Sequence, residues 1–106
     1  MKKFKLDDMT RGWFVGDFDP VGHKTKDCEV AVQKYKEGDY EAKHVHKIAT
    51  ELTLIVKGKV LMNNIEHGEG DIVLIEPGEA TDFKALEDTT NVVVKVPSVL
   101  GDKYPA

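Results

Sequence analysis

A chain of 106 residues, 41% of them hydrophobic, has room for one domain with one modest core. The net charge of −4, with scattered basic residues, excludes the positive footprint that nucleic-acid binding needs. No stretch approaches the ~20 apolar residues of a membrane span, and a single cysteine, Cys28, excludes an intrachain disulfide. The lysines near the start have no apolar run behind them, so no signal peptide and a cytoplasmic location are expected.

Residues 1–27 read as an irregular segment that packs on the domain and buries Trp13 and Phe14. The stretch 28–35, CEVAVQKY, alternates: Glu29, Ala31, Gln33 and Tyr35 oppose Val30, Val32 and Lys34, as on a strand. After a turn at Gly38-Asp39, 40–46 reads as a polar strand and 51–56, ELTLIV, as a strongly β-forming one. KGK (57–59) is a tight turn before a further strand, and 66–70, EHGEG, reads as another turn. Strands follow at 71–76, across TDFKAL and at 90–96, and residues 98–106 form an extended tail. These runs amount to about eight short strands with no helix to carry a parallel crossover. The expected fold is therefore all-β and mainly antiparallel, a sandwich or small barrel over residues 28–97.

LTLIV and NVVVKV are apolar on both faces, whereas a strand wet on one side alternates. Either the N-terminal segment or a second copy must cover the outer face, and a homodimer is expected.

KHVHKIATEL (43–52) concentrates the candidate chemistry. Residues i and i+2 of a strand share a face, so His44 and His46 lie side by side. A hairpin through the intervening four residues returns Glu51 to them. Two imidazoles and one carboxylate are a donor set for one divalent ion, iron, zinc, manganese or nickel. His23 and His67 read as loop histidines.

The wider spacing runs Gly38, five residues, His44-Val45-His46, four residues, Glu51, six residues, Gly58. This G-x5-H-x-H-x4-E-x6-G pattern resembles the first signature motif of the cupin family with every fixed position filled. GDIVLIEPGEATDFKA, from Gly70, resembles the second motif in its glycine, aspartate, Pro77 and Gly78. It departs at three places: Glu76 stands at the first proline, Thr81 at the third histidine ligand and Ala85 at the asparagine.

The resemblance covers roughly residues 30–96 and implies a small antiparallel jelly-roll barrel, often dimeric, with a pocket inside it. It implies metal ligands His44, His46 and Glu51, with Thr81 at the vacant fourth place. Alternation puts Thr53 and Ile55 on the face of Glu51, and Tyr40 and Ala42 on that of the histidines. Phe83, Asn63 and Asn64 are further lining candidates.

Three functions are compatible with this resemblance. The first is a metal-dependent enzyme on a small sugar or organic-acid derivative, of isomerase or epimerase type, with Glu51 as ligand or catalytic base. The second is a non-haem iron dioxygenase, in which Lys43 or Lys84 would have to meet a substrate carboxylate. The third is a non-catalytic binder of a small ligand.

Overall fold

The computed structural model describes residues 1–106. Eleven strands follow in chain order: β1 (Trp13–Gly16), β2 (His23–Lys24), β3 (Glu29–Tyr35), β4 (Tyr40–Val45), β5 (Thr50–Lys57), β6 (Lys59–Met62), β7 (Ile65–Gly68), β8 (Ile72–Ile75), β9 (Ala80–Ala85), β10 (Thr89–Val96) and β11 (Tyr104–Pro105). Two short 3-10 turns, Leu6–Asp8 and Thr10–Gly12, precede them. No helix is long and apolar enough to cross a membrane.

The segments before and after the expected barrel also contribute strands. β1 pairs with β3, and β11 pairs with β4. Trp13 and Phe14 are half-buried rather than buried, because β1 lies near one edge of its sheet. The expected turn at 66–70 is in its first half the strand β7. Asn63 and Asn64 both take positive φ, 51° and 63°, which makes the two-residue hairpin turn that joins β6 to β7. His67 therefore sits on β7, and His23 on β2, rather than in loops.

The pairing is nested: β3 with β10, β4 with β9, β5 with β8, and β6 with β7, each antiparallel. The chain behaves as one long hairpin folded back on itself, which is the jelly-roll arrangement. It gives a six-stranded sheet, β2-β1-β3-β10-β5-β8, facing a five-stranded one, β11-β4-β9-β6-β7.

The larger sheet is polar inside and apolar outside. Its inward residues include Glu29, Gln33, Glu51, Thr53, Asn91 and Lys95. Its outward positions carry Val30, Val32, Leu52, Leu54, Val92 and Val94, and β8 adds Ile72 and Leu74. Leu52, Ile72 and Leu74 are exposed, at 39%, 68% and 53%, so the N-terminal segment does not cover this end of the face.

Apolar packing fills the rest of the interior. Ile55, Val60, Met62, Ile75, Phe83 and Ala85 form one buried cluster, with Tyr35 and Val73 against it. The Tyr35 and Phe83 rings approach to 4.6 Å between centroids and mark the boundary between this plug and the polar cavity. Ile55 is wholly buried, and Ile55→Ala is expected to cost about 3 kcal/mol, read from the urea midpoint. A loss below about 1 kcal/mol would show that the plug does not carry the fold.

Candidate functional site

The barrel encloses a cavity of about 330 Å³. Its walls come from both sheets, with Arg11, Phe18 and Val99–Lys103 from the flanking segments also lining it.

His44 lies on β4 and His46 just beyond its end, with ring centroids 5.1 Å apart and the rings edge to face. Hydrogen bonding fixes how both rings are protonated. His44 Nδ1 lies 3.1 Å from the Ala42 carbonyl, and His46 Nδ1 meets the Asp102 carbonyl. A carbonyl only accepts, so each Nδ1 carries the proton and, in the neutral ring, each Nε2 keeps a free lone pair. His46 Nε2 is buried, makes no hydrogen bond and lies 3.4 Å from Glu51 Oε1. Glu51 is held in turn by Thr53, whose hydroxyl donates to Oε2 at 3.1 Å. Lys95 stands opposite Glu51 in the β5–β10 register.

The protonation tendencies follow from these neighbours. Burial pushes the His44 imidazole below its ordinary value. The Glu51 carboxylate raises His46 above its own, against the effect of burial. Burial alone would raise Glu51, but His46 and Lys95 outweigh it and hold the carboxyl below the usual range. Asp102 is likewise lowered: its burial is outweighed by the backbone N–H groups of Ala49, Lys47 and Ile48.

These shifts define a stability window. Glu51 and Asp102, depressed in the fold, contribute stability above the ordinary carboxylate range and lose it as pH falls through their folded values. His46, raised in the fold, contributes below the ordinary imidazole value and loses it as pH rises through its folded value. His44, lowered by burial, opposes His46 over the same imidazole range, so the acid side carries the trend: the melting temperature of chelator-treated protein is expected to fall as pH drops through the folded carboxylate values. Glu51→Gln should make that fall shallower, and an unchanged profile would remove Glu51 as a cause.

Thr53, Thr81 and Phe83 line the cavity with His44 and Glu51. Thr81 faces His44 directly in the β4–β9 register and donates its hydroxyl to the Asp82 carbonyl at 2.7 Å. Five expected lining residues lie elsewhere. Tyr40 is 61% exposed, because a bulge between Glu41 and His44 breaks the alternation and turns Glu41 inward instead, leaving Ala42 outside as well. Ile55 belongs to the apolar plug beyond the cavity. Asn63 is exposed and bonded to Asp82 and Ala80, and Asn64 shares its turn. Lys43 and Lys84 are exposed. The cations at the cavity are Arg11, Lys95 and Lys103.

Several lining residues had a sequence signal that pointed to no face. Glu29, Gln33 and Tyr35 alternate with valines, and so does Asn91, but alternation does not say which side is inside. The Tyr35 hydroxyl lies 2.7 Å from Gln33 Oε1 and 3.0 Å from Glu41 Oε1, and burial beside Glu41 pushes its phenol far above the ordinary range. Asn91 Oδ1 is buried without a partner in the cavity wall.

No protein-family model matches the chain, and no curated protein matches it. Solved structures do. A conserved protein with a double-stranded β-helix domain from Klebsiella pneumoniae is 26% identical, with a TM-score of 0.67 over 73% of this chain and 69% of that one. A cupin-2 domain containing protein from Shewanella frigidimarina is 17% identical, TM-score 0.60, over 68% and 72%.

The chain has the cupin fold.

Oxalate decarboxylase from Bacillus subtilis, a protein with Mn(II) centres, shares this cupin architecture at 17% identity and TM-score 0.67. The match spans 76% of this chain and 24% of that one.

The donor chemistry of the cupin barrel can be tested against a metal ion directly. No three His, Cys, Asp or Glu side chains converge on one point. Two donors do converge, His46 Nε2 and Glu51 Oε1, and the first is a buried nitrogen with no other partner. His44, on the same cavity, has its Nδ1 proton committed and its Nε2 free. Neutral imidazoles with committed Nδ1 protons beside a carboxylate are the donor types a divalent cation takes, and two of them, on His46 and Glu51, stand within reach of each other.

Proposed function

We propose that the protein binds one divalent metal ion through His44, His46 and Glu51 and acts on a small sugar or organic-acid derivative by isomerase- or epimerase-type chemistry. The observation that carries this reading is the buried His46 Nε2, without a hydrogen bond and 3.4 Å from Glu51, beside the polar cavity that Glu51 and His44 line. When bound, such an ion polarises a substrate carbonyl or hydroxyl oxygen. The chain's own groups suit the rest. Lys95 and Arg11 offer charge to a carboxylate, Asn91 Oδ1 awaits a donor such as a substrate hydroxyl, and Glu51, when free of metal, is the base. The Tyr35 phenol stays protonated, its one O–H engaged by Gln33 and Glu41, and so holds those side chains in the cavity wall.

Elemental analysis of protein purified without an affinity tag tests this reading, with a His44→Ala/His46→Ala control. About one equivalent of metal, lost in the control, supports it. Absence of metal, with no thermal shift from added Fe(II), Zn(II), Mn(II) or Ni(II), leaves a non-catalytic small-ligand binder, which the lack of a third converging donor favours. Oxygen uptake by the iron-loaded protein would instead select the dioxygenase reading, which the two-histidine, one-carboxylate set supports.

The working form is a cytoplasmic homodimer in this proposal. The apolar outer face of the larger sheet, with Leu52, Ile72 and Leu74 exposed on its β5–β8 edge, supports the dimer. Light scattering should give a dimer mass, and Ile72→Glu/Leu74→Glu should halve it; a monomeric wild type removes the dimer.

A further inference from the structure

The residues beyond the barrel do more than end the chain. β11 pairs with β4, Tyr104 against Val45 and Pro105 against His44, so the C-terminal segment lies along the strand that leads into the histidine pair. Just before it stands Asp102, an aspartate only 6% exposed. Its carboxylate accepts three backbone N–H groups: Lys47 at 2.8 Å on Oδ1, Ala49 at 2.8 Å and Ile48 at 3.1 Å on Oδ2. These are the successive residues of the connection that carries the chain from His46 to Glu51. The main-chain carbonyl of the same Asp102 accepts the His46 Nδ1 proton. One residue therefore shapes the turn between two candidate ligands and sets the ring of one of them.

We propose that Asp102 is the positioning residue of the site: its carboxylate holds the 47–49 connection, and this registers its own carbonyl against His46 Nδ1, leaving Nε2 bare toward Glu51. The assignment deepens the metal-site reading and rests on it for the use made of that nitrogen. The physical need is specific. An imidazole in water has two tautomers, and a ring protonated on Nε2 would offer a proton, not a lone pair, toward Glu51. The Glu51 carboxylate, 3.4 Å from Nε2, favours a proton there; in the neutral ring an acceptor on the Nδ1 side opposes it, and in this fold that acceptor comes from a segment 56 residues away in sequence. His44 needs no such help, because its acceptor, the Ala42 carbonyl, is on its own strand. The two histidines should thus respond differently to loss of Asp102.

The test uses the full chain, metal-free, with ¹⁵N-labelled imidazoles observed by NMR on the neutral rings. In wild type both His44 and His46 should report protonated Nδ1 and unprotonated Nε2. In Asp102→Ala, His46 should move towards the Nε2–H form while His44 keeps its tautomer. Asp102→Asn, which retains an acceptor for part of the connection, should fall between. Titration with Ni²⁺ alone should show a 10- to 100-fold weaker site in Asp102→Ala, the usual cost of losing an outer partner of a ligating histidine. A folded Asp102→Ala with His46 still protonated on Nδ1 and unaltered Ni²⁺ affinity overturns the assignment. So does a wild-type His46 that is protonated on Nε2, a measurement that needs no variant to fold. If the tautomers behave as expected but wild type takes up no metal, Asp102 stands as the positioning residue and the metal reading falls.

Discussion

Gly58→Ala is expected to cost more than about 3 kcal/mol or to prevent folding, whereas Gly38→Ala should cost about 1–2 kcal/mol. Both glycines are fixed positions of the first motif, and both take positive φ, 106° and 90°. Their surroundings differ. A Cβ on Gly58 would lie 2.6 Å from the Asp88 carbonyl oxygen and 2.8 Å from Thr89 Cα, and would also strike the Thr89 hydroxyl. Those atoms are backbone at the start of β10, held in register by Thr89 against Tyr35 and Thr90 against Lys57, so they cannot yield without breaking the central strand's pairing. A Cβ on Gly38 would meet nothing within 4 Å, and only the cost of a left-handed alanine remains. Urea unfolding of both variants measures the difference. Equal losses would mean that conformation alone, not the close approach to β10, explains the glycine at 58.

The second large effect concerns the ligands. His46→Ala should weaken Ni²⁺ or Mn²⁺ binding more than about 100-fold, beyond what changes to outer partners of a metal site usually cost. His46 contributes a buried nitrogen that makes no hydrogen bond and stands 3.4 Å from the carboxylate, so its loss removes one of the two donors already facing each other. Glu51→Gln should rank close to it, because the amide keeps the shape but not the charge. Thr53→Val should cost less, since Thr53 only orients Glu51 through its 3.1 Å hydrogen bond. Tyr40→Ala should leave affinity unchanged, because Tyr40 points to solvent. Isothermal titration of chelator-treated protein gives all four numbers. A Tyr40 effect as large as that of His46, or affinity indifferent to His46, would sink the assignment of the site.

The comparison of Tyr40 with Glu41 shows why part of the site was illegible from the chain alone. Strand alternation predicts faces correctly only while the register is unbroken, and a single extra residue between Glu41 and His44 exchanges inside for outside. No local composition announces that bulge. The inward faces of β3 and β10 pose a related difficulty. Their alternating sequence shows two distinct faces, but the usual rule puts the valines inside, and here Glu29, Gln33, Asn91 and Lys95 occupy that position. The inversion follows from an interior that holds a polar-lined cavity and an outer sheet face that carries the apolar side chains.

The sequence by itself determined the all-β class, the barrel's resemblance to the cupins, and the local group of His44, His46 and Glu51, because strand periodicity, turn glycines and motif spacing are properties of near neighbours in the chain. Only the tertiary structure decided which nitrogen of each histidine is free, that Arg11 and Lys95 rather than Lys43 or Lys84 reach the cavity, and that Asp102 stands behind His46. Each of those depends on nested pairing between segments tens of residues apart, and the free energy that selects such contacts belongs to the whole fold, not to any stretch of it.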